Sequence, residues 1–296
     1  MNVSIILVNF NTKKLTCECI NSIKSHVSKD LEYEIIVVDN ASSDGSQEAL
    51  AAIEGIRLIL SPENLGFGRG NNLGAAHALG EYLFLLNSDT ILLEDSVTKL
   101  HDFFKKNENS LKIGTLGCIL IDENHGENAS AFKFSSVKNV ISDTIKSLLG
   151  KVYKFKVAEK YDFKQDFVKV DYVIGADLMI KKTVFQEMKG FDDDYFMYFE
   201  EADLQKRLSK KELNAYILTS TKIIHLEGGS TDSKKLTNRR RMMIQKSRNL
   251  YLKKNDHGNY FFYVIFDFCF SFFRIFNRNY TFSENYTFLK ENFKSY

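Results

Sequence analysis

Asn87, Ser88 and Asp89 form a polar triplet directly after the apolar run at 83–86. An apolar run of this length, bounded by polar residues, predicts a buried strand, so the triplet lies at a strand end. Carboxylate and carbonyl oxygens suit a hard divalent cation such as Mg²⁺ or Mn²⁺, which can bridge two phosphates. The triplet alone is a weak signal, and its place at a strand end makes it a better one.

Two further predicted strands end in the same kind of residue. Asn9 and Asn11 follow the run at 3–8, and Asp39 follows the run at 34–38. In open α/β sheets, ligands bind at the carboxyl ends of the strands. Asn and Asp are also good turn and helix-capping residues, so one such end would mean little. Three of four strands that end this way indicate a nucleotide site.

The elements that position these residues alternate along the first half of the chain. Strands are predicted at 3–8, 34–38, 56–60 and 81–86, and helices at 13–25, 47–53, 71–79 and 95–104. This alternation predicts βαβ units and an α/β fold with a mostly parallel sheet covered on both faces. The second half is less clear, with a weakly patterned insertion at 122–166, short strands within 168–182, a helix at 199–208 and strand or loop at 215–225.

Composition and charge place the chain among globular proteins. Its 296 residues are 44% hydrophobic and 26% charged, enough for one large domain or one domain with an appendage. The formal net charge is +2, so the overall charge does not indicate nucleic acid as a partner. No basic segment or cleavage site precedes the first apolar run, so no signal peptide is expected. The cysteines form no metal-binding pattern, which indicates reduced thiols in a cytosolic protein.

Seven short blocks, spread over about the first four-fifths of the chain, carry a family resemblance. They are Val8-Asn9-Phe10-Asn11, Val37-Val38-Asp39-Asn40-Ala41-Ser42-Ser43-Asp44-Gly45-Ser46, Asn64-Leu65-Gly66-Phe67-Gly68-Arg69-Gly70-Asn71-Asn72-Leu73-Gly74, Leu86-Asn87-Ser88-Asp89-Thr90, Gly190-Phe191-Asp192, Phe199-Glu200-Glu201-Ala202-Asp203-Leu204, and His225 to Ser230. In this order they resemble family 2 glycosyltransferases, in particular the rhamnosyltransferase-like branch of bacterial O-antigen and capsule assembly. The resemblance implies a GT-A fold, a divalent metal ion and inversion at the anomeric carbon.

The resemblance implies a donor site built from the first three blocks. Asp39 matches the aspartate that hydrogen-bonds the pyrimidine base of the donor, and Asn9 lies with Asn11 in the loop that lines the same pocket. The segment that runs under the nucleotide is matched by Asn64, Arg69 and Asn72.

The fourth and last blocks match the metal site of the family. The motif is usually written DxD, and Asn87 stands in place of its first aspartate. Asp89 is therefore the expected metal ligand, while Asn87 and Ser88 are assigned to donor binding. His225 matches a late histidine that can complete the coordination of Mn²⁺ or Mg²⁺.

The Glu200-Glu201-Ala202-Asp203 block matches the block that supplies the catalytic base. Glu201 stands where the family usually has aspartate and is the expected base. Its extra methylene moves the carboxylate, so the choice between Glu201 and Glu200 stays open. On a helix, Asp203 and Arg207 are i,i+4 partners, and a structural ion pair is the expected role of Asp203.

Residues 232–296 are predicted to form a helical extension of a catalytic domain at 1–231. The segment 233–255 contains nine Lys or Arg and no acid, and 260–276 contains eight Phe. The second run is shorter than the roughly 20 apolar residues that a transmembrane helix needs, and it includes charges, so no span is expected.

A narrow polar stripe runs along the predicted aromatic helix, formed by Asp267, Ser271, Arg274 and Arg278. A helix of this kind covers the catalytic domain, packs against a second subunit in a homodimer, or lies in a bilayer interface beside the basic segment. Peripheral membrane contact and dimer packing are equally compatible with this pattern.

The resemblance implies an enzyme that moves rhamnose or another hexose from a dTDP- or UDP-sugar to a glycan or lipid-linked oligosaccharide acceptor. It would act in surface polysaccharide biosynthesis, in the cytoplasm at the inner face of the cytoplasmic membrane. The competing hypothesis on the same fold is a non-catalytic scaffold that binds carbohydrate or nucleotide. The departures from the family motifs at Asn87 and Glu201 favour that hypothesis. The remaining acidic residues, above all Asp89, argue against it.

Two other enzyme classes share the predicted fold class. A Rossmann dehydrogenase is disfavoured because Gly66-Phe67-Gly68-Arg69-Gly70 lacks the G-x-G-x-x-G spacing and does not follow the first strand. A nucleotide-sugar pyrophosphorylase would need a glycine-rich loop after that strand, where this chain has Asn9-Phe10-Asn11-Thr12-Lys13.

Overall fold

In the computed structural model, residues 1–148, 161–226, 237–277 and 279–296 are described. The first half repeats strand and helix as the hydrophobic pattern predicts. Its elements are β1 (Val3–Asn9), α1 (Lys13–His26), β2 (Tyr33–Asp39), α2 (Ser46–Ala51), β3 (Arg57–Leu60), α3 (Gly66–Ala76), β4 (Tyr82–Asn87), β5 (Thr90–Leu92) and α4 (Ser96–Asn107). Only β5 among these elements is absent from the sequence-based assignment.

The second half contains more short strands than predicted. Its elements are β6 (Ile113–Ile121), β7 (Ala131–Phe132), α5 (Val137–Leu148), β8 (Phe167–Val170), β9 (Tyr172–Val173), β10 (Asp177–Lys181), α6 (Lys182–Glu187), α7 (Glu200–Ser209) and β11 (Asn214–His225). The predicted insertion at 122–166 therefore includes β7 and α5, and its residues 149–160 lie outside the described part of the chain.

Nine of the described strands form one large mixed sheet in the order β3-β2-β1-β4-β10-β6-β11-β5, with β8 beside β11, and β7 pairs with β9 in a separate two-stranded sheet. The pairs of β1 with β2 and β4, and of β2 with β3, are parallel. β10 inserts antiparallel between β4 and β6. The prediction of a mostly parallel sheet is therefore correct for β1–β4 and for the pair of β6 with β11, which is also parallel. It is wrong for β10, β5 and β8, whose pairs in this sheet are antiparallel. Helix alternation signals parallel pairing, and β8, β9 and β10 follow one another without a helix between them.

Helices cover both faces of the sheet, as predicted. Ile5 and Leu7 of β1 pack with residues of α1 and α4 on one face. Ile6 packs with residues of α3, α6 and α7 on the other face. The period-2 alternation of a strand explains this division, and the two apolar cores hold the strand ends in fixed positions.

α3 begins at Gly66, ahead of the predicted helix at 71–79, because its glycines allow close packing. Glycine is roughly 0.5–1 kcal/mol less favourable than alanine inside a helix, so the pattern predicted a later start. A Cβ at Gly70 would lie 2.9 Å from Val8 Cγ1, and one at Gly74 would lie 2.5 Å from Ile6 Cγ2. The missing side chains let α3 lie directly on β1.

The last part of the chain is helical, as expected. It contains α8 (Asn238–Asn255), α9 (His257–Ser271), a short 3₁₀ helix (Phe272–Phe276) and α10 (Phe282–Lys294). Tyr251 and Leu252 of α8 and Tyr263 of α9 share one hydrophobic core with Tyr195 and Ala202. The predicted domain boundary at 231/232 lies outside the described residues, and the division into two domains stays a prediction.

Among the described residues, the run His257–Phe276 is apolar and long enough, by length and composition, to cross a membrane. Its mean hydropathy is 1.3, and 22% of its 18-residue window is buried. The sequence-based expectation of no span rests on a run shorter than roughly 20 residues and on the charges of Asp267 and Arg274. The helical run is 20 residues long, so the length argument is wrong, and the two charges form an ion pair at 2.7 Å. Asp267 and Ser271 of the predicted polar stripe are buried. Arg278 lies outside the described residues.

Candidate active site

The carboxyl ends of β1 and β2 meet through two predicted site residues. Asn9 Nδ2 donates a hydrogen bond to Asp39 Oδ2 over 2.6 Å. Both residues are completely buried. Asn9 Oδ1 accepts hydrogen bonds from the hydroxyls of Thr12 (2.8 Å) and Thr16 (2.7 Å). The two strand ends therefore form one hydrogen-bonded unit, as their positions in the sequence predict.

The loop after β2 closes over Asp39. The backbone N–H of Ser42 and Nε2 of Gln47 both donate to Asp39 Oδ1 at 3.0 Å. Ser42 Oγ accepts from Asn9 Nδ2 (3.0 Å) and from the backbone N–H of Asn11 (2.9 Å). A carboxylate has about four acceptor positions, and the hydrogen bonds from Asn9, Ser42 and Gln47 occupy three of them. Gln47 was not predicted as a site residue. The available signal in the sequence was its place in the first turn of α2, the helix that follows β2.

The turn between β4 and β5 lies against the end of β11. The backbone of His225 pairs with Thr90, so the sheet register brings the imidazole to this turn. His225 Nε2 lies 3.3 Å from Asp89 Oδ1 and 3.4 Å from Asn87 Nδ2. Ser88 Oγ lies 3.3 Å from Thr12 Oγ1, which connects the turn to the loop after β1. The two predicted metal ligands are thus neighbours although they are far apart in sequence.

Asp89 and His225 offer a suitable pair of donors for a divalent cation. A carboxylate oxygen and an imidazole nitrogen that converge in a mostly buried turn can bind Mn²⁺ or Mg²⁺ together. Within the described ranges, no group of three or more His, Cys, Asp or Glu residues could hold a metal ion. A cation at this pair would keep several coordination positions for oxygens of a bound ligand such as a diphosphate.

The polar residues of the glycine-rich block hold the start of α3 in place. Asn64 Oδ1 accepts from the backbone N–H of Gly66 over 2.9 Å. Asn72 Nδ2 donates to Phe191 O (2.8 Å), and its Oδ1 accepts from Phe191 N (2.9 Å). Arg69 Nε is buried, with no hydrogen-bond partner in the described part of the chain. The two asparagines therefore have structural partners, and Arg69 has a donor left for a ligand; all three donor-site assignments stay predictions.

α7 begins directly after two residues in the left-handed backbone region. Tyr198 has φ 71° and Phe199 has φ 70°. For bulky side chains this conformation is unfavourable by about 1–3 kcal/mol each, and it occurs mainly at functional sites. The ring of Phe199 packs against Tyr251 at 5.4 Å, and the guanidinium of Arg240 lies 5.7 Å from the ring centre of Tyr198. α8 therefore supports the strained turn that precedes the predicted catalytic carboxylates.

Glu200 and Glu201 are adjacent but have different surroundings. Glu200 is 3% exposed and lies under α3, where a Cβ added at Gly68 would be 3.5 Å from Glu200 Cβ. Glu201 is half-buried, and a Cβ added at Gly175 would be 3.8 Å from Glu201 Cβ. Oε2 of each glutamate has no hydrogen-bond partner in the ranges described.

Burial raises the pKa of both carboxyl groups. The pKa of Glu200 lies well above its ordinary value, because burial and then the charge of Glu201 oppose its ionisation. A general base must be ionised and within reach of the acceptor. Glu201 is the more exposed residue of the two, which favours it over Glu200 as the base, although Oε2 of both glutamates is buried.

Asp203 has the structural role that the sequence predicts. Its Oδ2 accepts from Arg207 Nε over 2.8 Å, and its Oδ1 accepts from Asn255 Nδ2 over 2.9 Å. Arg207 in turn donates to the carbonyl oxygens of Met188 and Gly190. The predicted i,i+4 ion pair is confirmed, and it ties α7 to the segment before it and to α8.

Gln205 was missed by sequence reasoning. Its Oε1 accepts from Thr115 Oγ1 (2.7 Å) and from the backbone N–H of Val173 (2.8 Å). Its Nε2 donates to Val173 O (2.7 Å) and to Glu201 O (3.1 Å). This buried amide fixes the first turn of α7 to β9 and β6, and its only sequence signal was a polar residue on the inner face of α7.

Asp177 is a second missed residue, at the start of β10. It is completely buried, and its Oδ2 accepts from the backbone N–H of Cys118 over 2.6 Å. Its Oδ1 has no hydrogen-bond partner among the residues described. Burial raises the pKa of Asp177 to about 7. No pattern of period or spacing distinguishes this aspartate from a surface residue in the sequence.

The segment before β10 links the two parts of the candidate site. The backbone N–H of Asn87 donates to Ala176 O over 2.9 Å, and the neighbouring Gly175 lies against Glu201. Asn40 Nδ2 donates to Gly66 O over 2.9 Å, which joins the end of β2 to α3. The predicted residues at the strand ends, on α3 and on α7 are therefore assembled at one edge of the sheet.

Comparison with known sequences identifies the family. A model of glycosyl transferase family 2 matches residues 4–189. The chain is 29% identical over 205 residues to rhamnosyltransferase WbbL of Escherichia coli, covering 66% of this chain and 74% of that protein. It is 26% identical over 214 residues to an N-acetylglucosaminyl-diphospho-decaprenol L-rhamnosyltransferase of Mycobacterium tuberculosis, covering 67% of each chain.

Comparison with solved structures confirms the fold. The mannosyltransferase PcManGT from Pyrobaculum calidifontis, solved in complex with GDP-Man and Mn²⁺, superposes with a TM-score of 0.58 and 14% sequence identity. The match covers 98% of this chain and 74% of the other. The mixed sheet with helices on both faces is thus the GT-A glycosyltransferase fold that the sequence blocks imply.

Proposed function

Because the chain belongs to glycosyl transferase family 2 and is thus a glycosyltransferase, we propose that it moves rhamnose from a dTDP- or UDP-sugar, with inversion, to a glycan or lipid-linked oligosaccharide. Two relatives named as rhamnosyltransferases support the sugar. The name of the second relative includes a diphospho-decaprenol acceptor and supports the lipid-linked class. The observation that carries the proposal is the assembly of Asp39, Asp89, His225 and Glu201 at one sheet edge.

The base of the donor would bind at Asp39. A uracil or thymine ring presents one N–H that needs one acceptor, and the carboxylate of Asp39 has about one acceptor position left. Asp39 is completely buried, so the donor would reach it by displacing the side chain of Gln47, which covers Oδ1 at 3.0 Å. Asn9 would keep the carboxylate oriented from the other side.

The diphosphate would bind between the β4–β5 turn and the start of α3. Asp89 and His225 would hold a divalent ion there, and the imidazole donor favours Mn²⁺ over Mg²⁺. When bound, the cation neutralises charge on the leaving diphosphate. Arg69, whose Nε has no hydrogen-bond partner in the described ranges, would donate to a phosphate oxygen.

Glu201 would act as the general base. The acceptor hydroxyl is a weak nucleophile, and Oε2 of Glu201 would take its proton as the oxygen attacks the anomeric carbon. A single displacement of the diphosphate then inverts the configuration at that carbon. Gln205 and the ion pair of Asp203 with Arg207 hold the helix that presents this carboxylate.

The test measures binding of dTDP and UDP by calorimetry with and without Mn²⁺. We expect Mn²⁺ to tighten binding at least about tenfold, a change of about 1.4 kcal/mol, and Asp89→Ala to abolish that gain. Asp162→Ala, which removes an exposed carboxylate that pairs with Lys164, is the matched control and should bind like the unmodified protein. Equal affinity with and without metal would refute the metal site, and failure of both nucleotides to bind would refute the pyrimidine donor.

A further inference from the structure

The outer sides of α9, of the 3₁₀ helix after it and of the start of α10 are aromatic and exposed. Phe261, Phe262, Phe273, Phe276 and Phe282 are each 60–78% exposed. No described residue covers these rings. Single exposed apolar residues are normal on protein surfaces, but a contiguous set of this kind marks a surface that contacts a partner or a membrane.

The inner side of the same helices contains buried polar groups beside buried aromatic and apolar residues. Asp267 and Ser271 of α9 are buried, and Asp267 Oδ2 accepts from Asn292 Nδ2 over 2.7 Å. Arg274 donates to Asp267 Oδ1 over 2.7 Å, and Asn249 Nδ2 donates to Asn292 Oδ1 over 3.0 Å. An ordinary surface helix puts its apolar residues inside and its polar residues outside. Here the outer side is aromatic and several polar groups are buried and bind one another, as in helices whose outer surroundings are lipid.

Basic residues border the aromatic surface. Asn238 Nδ2 donates to Glu284 O over 3.2 Å, and Arg241 donates to Asn285 Oδ1 over 2.9 Å, so the start of α8 lies beside the start of α10. Arg239 is exposed at this corner, and Lys290 is exposed further along α10. Residues 237–296 contain 11 Lys or Arg and 4 Asp or Glu, in a chain whose net charge is only +2.

We propose that α9 and the start of α10 dock in the interface of an anionic lipid bilayer, with the basic start of α8 at the headgroups. The charge favours lipid over a second copy of the chain. A twofold dimer would pair the surface with itself and bring the basic borders together, whereas anionic headgroups complement them. The proposal rests on this surface alone and is independent of the donor and metal proposals.

The helix lies along the bilayer surface and does not cross it. Its inner side is bound to α8 and α10 through Asp267, Asn249 and Asn292, so only the outer side can meet hydrocarbon. α8 contains seven Lys or Arg and no acid, a composition that belongs at the headgroup level. A helix with one apolar side buried in the boundary between headgroups and chains satisfies both sides at once.

Flotation of the full-length protein with vesicles tests the proposal. We expect binding to vesicles that contain phosphatidylglycerol and weaker binding to them at about 0.5 M salt. Binding to pure phosphatidylcholine should stay at about that high-salt level at any salt concentration, because only the apolar contact contributes to it. The triple variant Phe262→Ser, Phe273→Ser, Phe276→Ser should lower binding at high salt by at least about tenfold. The double variant Arg239→Gln, Lys290→Gln should lower binding at low salt, where the charges act.

Matched controls remove apolar or basic side chains from other parts of the protein surface. Leu60→Ser with Leu79→Ser changes exposed apolar residues away from the surface, and Lys14→Gln with Lys164→Gln changes two exposed lysines. Both pairs should bind vesicles like the unmodified protein, and circular dichroism checks that every variant is folded.

Three outcomes would overturn the proposal. One is an intact protein that ignores anionic vesicles at low salt. Another is a dimer in solution that the triple phenylalanine variant converts to a monomer while vesicle binding is unchanged. The third is a protein that stays in the membrane after alkaline carbonate extraction, which would mean that His257–Phe276 spans it.

Discussion

Glu201→Gln should fold, bind donor and transfer sugar very slowly. The change removes the charge and the proton-accepting oxygen but keeps the shape of the side chain. Glu201 Oε2 has no hydrogen-bond partner in the described residues, so no such contact is lost at that oxygen. The charge of Glu201 raises the pKa of Glu200, so the substitution also lets Glu200 ionise at lower pH.

The expected loss follows from the role of a positioned base. General base catalysis contributes about 10²–10⁴ in rate, which corresponds to about 2.7–5.5 kcal/mol of transition-state stabilisation. Stability should not fall, because the substitution removes a charge that opposes the ionisation of Glu200. The activity of the unmodified enzyme should rise with pH through a pKa above the ordinary glutamate range, because burial raises the pKa of Glu201.

The assay is release of nucleoside diphosphate in single turnover, with calorimetry for donor affinity and urea unfolding for stability. Glu200→Gln is the matched control, since it makes the same change one residue away in a more buried position. It should keep turnover within about tenfold of the unmodified enzyme, because Glu200 is only 3% exposed.

One outcome would refute the assignment of the base. It is full turnover in Glu201→Gln together with a rate loss of about 10² or more in Glu200→Gln, since a base contributes about 10²–10⁴ in rate. Loss of donor binding in Glu201→Gln would refute the claim that this carboxylate acts on the acceptor only.

Two further predictions concern stability. Burial raises the pKa of Asp177 to about 7, above its unfolded value, so the unmodified protein should lose up to about 4 kcal/mol of stability between pH 4 and pH 8 through this group. Asp177→Asn should lack that loss in urea unfolding, and an unchanged pH dependence would contradict the reasoning. Gly66→Ala should lower stability by at least about 2 kcal/mol, because its φ is +79° and a Cβ would lie 2.0 Å from Phe196 O. Gly258→Ala, with nothing within 4 Å of the new Cβ, is the control and should be neutral or stabilising.

The local sequence patterns predicted the parts of the fold that depend on the periodicity of hydrophobic residues. The strands β1, β2 and β4 and their polar ends follow from apolar runs bounded by Asn or Asp, and the sheet brings Asn9 and Asp39 within 2.6 Å. The ion pair of Asp203 with Arg207 follows from helical spacing alone. These features are local, so a single segment contains the information for each of them.

The features that the sequence did not predict depend on tertiary partners. Asp177 and Gln205 are buried polar residues whose role appears only when β6, β9 and α7 come together. The antiparallel direction of β10 depends on which strands it joins and not on its own residues. The early start of α3 depends on how closely Gly70 and Gly74 approach β1. A propensity or a period contains no information about such partners.

α8 belongs to the catalytic structure as much as to the C-terminal extension. Ser247 Oγ donates to Met197 O over 2.7 Å, and Lys254 Nζ donates to Asp192 and Asp194 at 2.6 Å each. These contacts hold the segment 192–197 that leads into the strained turn before Glu200. Removing everything after residue 236 would therefore release this turn, and loss of activity in such a truncation would say nothing about lipid.

The packing of α8 on this turn also connects the proposed lipid-binding surface with the proposed catalytic base. α9 packs on α8, and α8 packs on the turn that positions Glu201, so one rigid path joins the aromatic surface to the proposed base. A surface docked at headgroups would thus hold the catalytic edge at a constant height above the bilayer. Point substitutions of exposed phenylalanines leave that path intact, which is why they separate lipid binding from catalysis. A variant such as Phe276→Ser should bind donor normally in solution while it binds vesicles less well.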